Sequence, residues 1–397
     1  MKRIRCVPIW DLVMILIGIT LTIVIFLFTF IHMMSALNPR VPVSLANFHF
    51  RYRTYIVGLL VLLYLTLLVL FQDFESITLA LAAIQIVFIP ISIFMHPQWI
   101  FRAVLNPVYE PAQDQTRLPP DIPVLVIDME RRQRAYPVSF VSWHHIINDV
   151  IGQKNILITF CPICNTGIGY DATGYGPFVV GGFYKGNMVM ADKRTKTFWQ
   201  QATGESLAGR LHPQQLELIR LDLLTWEMAR DTYPNIRLVH ASEKDLRPFS
   251  VPFVWGLYMN SSVVPGVPKK DRDDRLPQKA KIIGIPRGHG DVAFPKEDVL
   301  NQIWTRDDEL KLLLISKSQI VRGYYTEVEG VQLKLKYLPD EGEILDETTD
   351  TRWSSSGKQL EGSIKQDLVK WPVSEEYWFA WRLYHPFTEV RHLKGDG

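Results

Sequence analysis

The chain has 397 residues, and 47% of them are hydrophobic. Its 43 basic and 41 acidic residues leave a formal charge of only +2, which excludes the strongly basic surface that is typical of nucleic-acid-binding proteins. Most of the hydrophobic excess lies in the first hundred residues, so we expect a membrane anchor followed by a soluble part.

Three apolar segments without charged side chains predict transmembrane helices at about residues 12–34, 55–71 and 77–95. A cleaved signal peptide is the alternative for the first segment, but two more apolar segments follow it. We therefore expect residues 1–105 to form a membrane anchor with the lipid bilayer as its partner. Three helices exceed what anchoring requires, which makes another membrane protein a further candidate partner.

The soluble part contains an internal repeat with an offset of about 155 residues. We predict a first repeat at 106–264, a Pro-rich, charged linker at 265–281, and a second, degenerate repeat at 282–397. The matched residues are Asp192, Thr195, Thr197, Trp199, Trp226, Pro234 and His240 in the first repeat, with Asp346, Thr349, Thr351, Trp353, Trp378, Pro386 and His392 in the second.

Short alternating or β-branched segments, separated by Gly, Asn and Asp, predict many strands in both repeats. Two segments have helical spacing: "FVSWHHIINDVIG" (140–152) and "DLLTWEMARDTYP" (222–234), the second with Asp222 as its N-cap. The predicted fold is a β-rich α+β domain made of two tandem similar units and preceded by three transmembrane helices.

Two cysteines lie three positions apart in "TFCPICNTG", directly after a predicted strand. The only other cysteine is Cys6, and the second repeat has none; we expect Ile315 and Ser318 at the positions of Cys161 and Cys164. Any special chemistry should therefore belong to the first repeat, with the second as a structural partner.

Several motifs of the first repeat resemble a known family. They are Tyr136-Pro137, His145 before Asn148-Asp149, Thr159-Phe-Cys161-Pro-x-Cys164, and the run Met190, Asp192, Thr195, Trp199 and Gln200. Over residues 120–392 the chain resembles the prokaryotic domain-of-unknown-function family 3179, which implies no established reaction. Because members of this family usually look exported or membrane-anchored, the resemblance implies a multi-pass cell-membrane protein with its C-terminal domain outside the cytoplasm.

A transition-metal site is the first interpretation of the thiol pair. The predicted ligands of a zinc or copper ion are Cys161, Cys164 and His145. Met188 and Met190 bring in copper(I), because this ion favours soft thiolate and thioether ligands. A tetrahedral zinc would need a fourth ligand, such as His144, His212 or His240. Predicted residues around the ligands are His144, Asp149, Met190, Asp192 and Gln200.

Two other interpretations stay open. A dithiol oxidoreductase or a thiol-dependent enzyme could use the same cysteines, with His145 as a base. Against the first, glycine-rich sequence follows Cys164, and no helix is expected there to lower a thiol pKa. The last interpretation is structural, a packed or cross-linked turn. The recurrence of Asp192, Thr195 and Trp199 in the second repeat favours a structural role for these three residues.

Overall fold

A computed structural model gives the fold for residues 9–37, 40–112, 118–249, 254–287 and 290–393, with the backbone alone for 31–37 and 254–255. Cys6 lies outside the described residues. The chain divides into two compact units. The anchor unit comprises Met1–Ala103 and Tyr175–Gln215, and the main unit comprises Val104–Gly174 and Leu216–Gly397. This division follows contacts and not sequence similarity, so the repeat boundaries stay a prediction.

Four helices open the described chain, and short strands with a few helices between them follow. Its helices are α1 (Ile9–Leu37), α2 (Val43–Leu70), α3 (Ser76–Phe94), α4 (Pro97–Ile100), α5 (Val138–His144), α6 (Trp226–Thr232), α7 (Val254–Asn260), α8 (Lys296–Gln302) and α9 (Trp378–Tyr384). The strands before the linker are β1 (Tyr109–Pro111), β2 (Pro123–Met129), β3 (Arg132–Pro137), β4 (Ile146–Ile151), β5 (Lys154–Cys161), β6 (Thr166–Asp171), β7 (Phe178–Tyr184), β8 (Asn187–Asp192), β9 (Phe198–Gln200), β10 (Ser206–Ala208), β11 (Glu217–Ile219), β12 (Asp222–Thr225) and β13 (Arg237–Val239). The later strands are β14 (Lys281–Ile285), β15 (Val292–Pro295), β16 (Trp304–Asp307), β17 (Leu312–Lys317), β18 (Ile320–Tyr325), β19 (Glu327–Val328), β20 (Val331–Gln332), β21 (Leu335–Leu338), β22 (Glu343–Asp346), β23 (Arg352–Ser354), β24 (Gln359–Glu361), β25 (Lys370–Trp371), β26 (Ser374–Tyr377) and β27 (Glu389–Val390).

The anchor unit contains three helices, α1 to α3, that are long and apolar enough to cross a bilayer. This finding supports the predicted membrane association. Helix α2 begins at Val43, whereas the sequence predicted a span that starts at 55. The additional turns contain the polar residues Asn47, His49, Arg51 and Arg53, so they do not belong to an apolar segment.

Polar side chains connect the three helices to one another. Gln85 of α3 donates from Nε2 to the carbonyl of Gly18 at 3.1 Å and to Thr22 Oγ1 at 3.0 Å. Arg53 of α2 is 1% exposed and donates to the carbonyls of Thr29 in α1 and Ser92 in α3. Apolar side chains gain little from leaving lipid, so these hydrogen bonds help to hold the helices together.

The first turns of α2 also hold the β-sheet of the anchor unit, whose strand order is β10-β9-β8-β7. Asn47 donates from Nδ2 to the carbonyl of Lys196 at 2.7 Å, and Arg51 donates to that of Thr195 at 3.1 Å. Phe50 packs against Phe198 with ring centroids 5.2 Å apart. The tight turn that follows Asp192 is therefore fixed to a membrane-anchoring helix.

The strand orders before and after the linker correspond. The order β13-β3-β2-β12 has its counterpart in β27-β15-β14-β26, with the same parallel and antiparallel pairs. The order β4-β5-β6-β11 likewise corresponds to β16-β17-β18-β25, and β7-β8-β9-β10 corresponds to β21-β22-β23-β24. We call residues 106–264 the first half of the soluble part and residues 282–397 the second half.

Two predicted elements need correction. The helix predicted at 140–152 ends at His144, and β4 follows it immediately. His145 has a φ of 63°, a left-handed conformation that stops a helix, and "IINDVI" then alternates as a strand. Asp222 lies in β12, and the N-cap of α6 is Thr225, whose hydroxyl accepts from the Met228 amide at 3.2 Å.

Candidate functional site at the Cys161–Cys164 turn

The two thiols occupy the turn between β5 and β6. Cys161 ends β5, and the amide of Cys164 returns to the carbonyl of Cys161 at 3.1 Å. Asn165 closes the turn with a φ of 56°, a conformation that Asn tolerates better than most residues. The two Sγ atoms are 3.0 Å apart, and the residues are only 2% and 0% exposed. The turn therefore places both thiols in contact with each other and away from solvent.

Residues far along the chain cover this turn. Tyr258 of α7 donates its hydroxyl to the carbonyl of Ile163 at 2.9 Å. Tyr377 of β26 donates its amide to the carbonyl of Cys164 at 3.0 Å, and Asn165 donates to the carbonyl of Glu375 at 3.4 Å. Burial and the neighbouring Cys164 and Cys161 raise the pKa of Tyr258, so its hydroxyl stays protonated as a donor. The turn is thus covered by α7 of the first half and by β26 of the second half.

The environment of the thiols does not resemble that of a dithiol oxidoreductase. The residues after Cys164 form strand β6, as the glycine-rich sequence predicted, so no helix dipole points at the thiols. Reactive thiols in such enzymes are also partly exposed, whereas Cys161 and Cys164 are buried. A macromolecular substrate therefore cannot reach either thiol in the folded protein.

The donor set does not fit a closed tetrahedral zinc site. Among the described residues, no group of three or more His, Cys, Asp and Glu side chains is placed to hold a metal ion. Two thiolates on one zinc lie about 3.8 Å apart, given Zn–S bonds of about 2.3 Å, and the 3.0 Å between these two Sγ atoms is clearly shorter. Zinc or copper binding by Cys161, Cys164 and His145 stays a prediction that this geometry does not support.

His145 lies at the junction between α5 and β4. Its carbonyl accepts the amide of Phe160 at 3.0 Å, which joins it to the residue before Cys161, and its ring lies 5.7 Å from that of Phe249. Burial, with the adjacent His144 as a smaller cause, lowers the pKa of His145 to about 4. The side chain of the neighbouring His144 contacts Asp245, with 3.7 Å between His144 Nε2 and Asp245 Oδ1. His145 is therefore a neutral, buried histidine at ordinary pH.

Asp149 belongs to a separate polar cluster. It is 4% exposed, and it accepts hydrogen bonds from the hydroxyls of Tyr109 and Tyr136, both at 2.5 Å, and from Arg134. Burial and the carboxylate charge raise the pKa of both tyrosines, which therefore remain donors. Asp149 lies on strand β4, so the helix predicted at 140–152 does not reach it.

The other predicted surrounding residues lie in the anchor unit and have structural partners. Asp192 accepts the amides of Arg194 at 2.7 Å and Thr195 at 3.1 Å, as an Asx turn requires. Gln200 donates to the side chain of Asn187 at 2.8 Å, and Met190 is fully buried. Asp346 accepts the amide of Thr349 at 3.0 Å in the same manner as Asp192, which supports the predicted structural role of this turn.

The corresponding hairpin of the second half shows how the thiol turn differs. Thr159 pairs with the first residue of β4, and Ile315 pairs with the first residue of β16. In this register Ile315 is equivalent to Thr159, and Lys317 is equivalent to Cys161. The predicted match of Ile315 with Cys161 was therefore wrong. The turn between β17 and β18 has only two residues, Ser318 and Gln319. The hairpin with the cysteines is therefore two residues longer.

A family model described as a protein of unknown function, DUF3179, matches residues 101–388. The chain belongs to this family. The match includes almost the whole soluble part and confirms the resemblance drawn from the motifs. No curated protein and no solved structure matches this member of DUF3179.

Two tyrosines were missed by the sequence reasoning. Tyr258 and Tyr377 cover the thiol turn, yet neither belongs to a recognisable motif. For Tyr377, only the doubled order of the elements could have suggested that the second half packs against a loop of the first.

Proposed function

We propose that this DUF3179 protein is a membrane-anchored, extracytoplasmic interaction module in which Cys161 and Cys164 form a disulfide. During folding, before the turn is buried, the two thiols would pass two electrons and two protons to a disulfide-bearing oxidant of that compartment by thiol–disulfide exchange. The observation that carries the proposal is the 3.0 Å separation of two buried Sγ atoms. A disulfide would fix the turn whose carbonyls accept hydrogen bonds from Tyr258 and Tyr377. The cross-link would then stabilise the packing of the first half against the second.

The corresponding strand orders support a tandem duplication as the origin of the soluble part. Under this proposal the second half keeps the scaffold with a two-residue turn, and the first half acquired the longer turn with its thiols. The thiols would then be an addition to a scaffold that folds without them. Their role would be to strengthen the contact between the two halves, whereas the hydrophobic core would form without them.

The test is a thiol count on the full chain, purified without reductant. The protein is denatured, labelled with N-ethylmaleimide, reduced, and labelled again with a heavier maleimide. We expect Cys161 and Cys164 to take the heavy label, while Cys6 takes the light label as an internal control. Light label on all three cysteines in protein isolated from the membrane would contradict the proposal.

Variants separate the disulfide from the metal prediction. The double variant Cys161→Ser/Cys164→Ser should lose about 2 kcal/mol of unfolding free energy, because the cross-link closes only a short loop. The control Cys6→Ser should lose none. If instead the reduced full chain bound one zinc or copper ion, and Cys161→Ser abolished that binding, the metal prediction would replace the disulfide.

The orientation of the anchor is a separate part of the proposal. A disulfide persists in an oxidising compartment, which agrees with a soluble part outside the cytoplasm. Fusion of alkaline phosphatase, which is active only outside the cytoplasm, to the C-terminus should give active enzyme. An inactive fusion, together with a fluorescent green fluorescent protein fusion at the same position, would place the domain inside.

A further inference from the structure

The main unit contains a cavity of about 260 Å³ that is lined by both halves of the soluble part. Asn165 and Gly167, directly after the thiol turn, form part of its wall. Its volume suits a small molecule. Apolar side chains such as Leu125, Ile283 and Trp371 provide much of the surface, with a limited number of charged groups between them.

The charged side chains of the cavity have a positive excess. The cations are Arg220, Lys281, Lys296, Arg322 and Lys370, and the carboxylates are Asp121, Asp222 and Glu375. Five cations against three carboxylates leave two positive charges in a partly buried space. Buried charges are costly unless they are paired, so a space of this kind favours an anion.

Two of the carboxylates are each shared between two cations. Glu375 pairs with Lys281 at 3.2 Å and with Lys296 at 2.8 Å, and Lys296 is only 7% exposed. Asp222 pairs with Lys370 and, at 3.3 Å, with Arg220. Burial lowers the pKa of Lys370, but Asp222 and Tyr233 outweigh this and raise it overall, so Lys370 remains charged.

Arg322 differs from the other cations. One of its Nη atoms donates to the carbonyl of Ser355 at 2.8 Å, a neutral acceptor. Its Nε is buried and has no hydrogen-bond acceptor among the described residues, and the same holds for the indole nitrogen of Trp371, a residue that is 8% exposed. Buried donors without an acceptor are rare and costly. Both residues line the cavity.

Three of the cations stand where the first half has apolar residues. Lys281 and Pro123 occupy the same place in β14 and β2, since they pair with Tyr377 and Thr225 at corresponding strand ends. Lys296 and Val138 are the first residues of α8 and α5. Arg322 pairs with Ile315, as Ile168 pairs with Thr159. The scaffold therefore does not require these charges.

We propose that this cavity binds a small organic anion, with a carboxylate or phosphate group held by Arg322 and an apolar body against Trp371 and its neighbours. A guanidinium suits both groups because its donors form a planar fork. Arg322 has no carboxylate partner among the described residues, so a bound anion would balance its guanidinium charge. The proposal stands apart from the disulfide, because none of its charged groups is a thiol.

The test is isothermal titration calorimetry on the full chain in nanodiscs, with phenyl phosphate and benzoate as probes and benzylamine as the cationic control. We expect at least one of the two anions to bind with a Kd below about 1 mM, and more weakly as salt rises. Benzylamine should not bind. Absence of binding by both anions, or equal binding of benzylamine, would overturn the proposal.

Variants locate the binding. Arg322→Leu should weaken anion binding at least about tenfold, whereas Arg210→Leu, at an exposed position outside the cavity, should change nothing. The side chain of Lys281 is 46% exposed, so Lys281→Met keeps the fold and should weaken binding about threefold. Equal affinities for wild type, Arg322→Leu and Lys281→Met would refute the assignment, even where Arg322→Leu also alters stability.

The same nanodiscs distinguish two sources of the anion. Phosphatidic acid added to the nanodiscs should compete with phenyl phosphate if the natural ligand is a lipid headgroup. If phosphatidic acid leaves the titration unchanged, the bound anion belongs to a soluble molecule.

Discussion

The hairpin β5–β6 of the first half and the hairpin β17–β18 of the second half have the same place in corresponding sheets. The first has a four-residue turn with Cys164 and Asn165, and the second has a two-residue turn of Ser318 and Gln319. In both turns a non-glycine residue adopts a positive φ. The scaffold thus accepts turns of different length, and the longer one provides room for two thiols.

The two halves also differ in where their charges lie. The sequence suggested that the first half holds the chemistry, because the second half lacks the thiols. The cavity reverses part of this expectation, since Lys296, Arg322 and Lys370 come from elements after the linker and Lys281 is the last residue of the linker. The two halves therefore differ in the groups that they add: the first has two buried thiols, and the second has the cations Lys296, Arg322 and Lys370.

The largest expected effect concerns the scaffold that the halves share. Trp199 and Trp353 are both 0% exposed, and we expect replacement of either by Ala to lower the unfolding free energy by about 3–5 kcal/mol. Denaturant unfolding of the full chain in micelles, followed by circular dichroism, measures both. A loss below about 1 kcal/mol for one of them would show that the halves do not depend on this tryptophan equally.

Phenylalanine at the same positions sharpens the comparison. Trp353 donates from Nε1 to the carbonyl of Gln366 at 2.8 Å, whereas Nε1 of Trp199 has no acceptor among the described residues. Trp353→Phe should therefore cost about 1 kcal/mol more than Trp199→Phe. The opposite order would contradict these hydrogen-bond assignments.

An effect smaller than the loss of either tryptophan is expected from His145, whose counterpart in the second half is Ile303. Both end a helix with a φ close to 60°. The pKa of His145 is lowered to about 4 in the folded state, so its contribution to stability is present above pH 6.5 and is lost as the pH falls towards 4. The loss amounts to roughly 3 kcal/mol, because each unit of pKa difference is worth about 1.4 kcal/mol.

His145→Ile copies the residue of the second half and should remove this acid sensitivity. Melting temperatures of the full chain at pH 7.5 and pH 4.5 test it, with the exposed His392→Gln as the control variant. The difference between the two temperatures should shrink in His145→Ile and stay as in wild type in His392→Gln. An unchanged difference in His145→Ile would mean that His145 is not the buried neutral group described here.

The sequence predicted the elements that depend on local patterns. The apolar segments became α1, α2 and α3, and the alternating segments became strands such as β2 and β8. The exception at 140–152 has a local cause. Apolar residues in "FVSWHHIINDVIG" fit a helix and a strand in turn, and only the left-handed backbone of His145 separates the two.

The surroundings of the candidate sites could not be predicted in the same way. Tyr258 contacts Ile163 across 95 positions of sequence, and Arg322 lies in a strand that reads as an ordinary core segment. Such contacts depend on how sheets pack, which no short pattern records. The early start of α2 is similar, because Arg53 within it donates hydrogen bonds to carbonyls of the neighbouring helices.

The smallest expected effect returns to the two turns. Gln319 has a φ of 65° and Asn165 a φ of 56°. Gln319→Gly should raise the unfolding free energy by about 0.5–1 kcal/mol, because glycine adopts this backbone conformation without steric cost. Asn165→Gly should gain nothing, since Asn tolerates the conformation and the change removes its hydrogen bond to the carbonyl of Glu375. Thermal unfolding of the two variants under the same conditions measures both changes in unfolding free energy. A gain from Asn165→Gly as large as that from Gln319→Gly would mean that the thiol turn is strained and that Asn165 contributes nothing through Glu375.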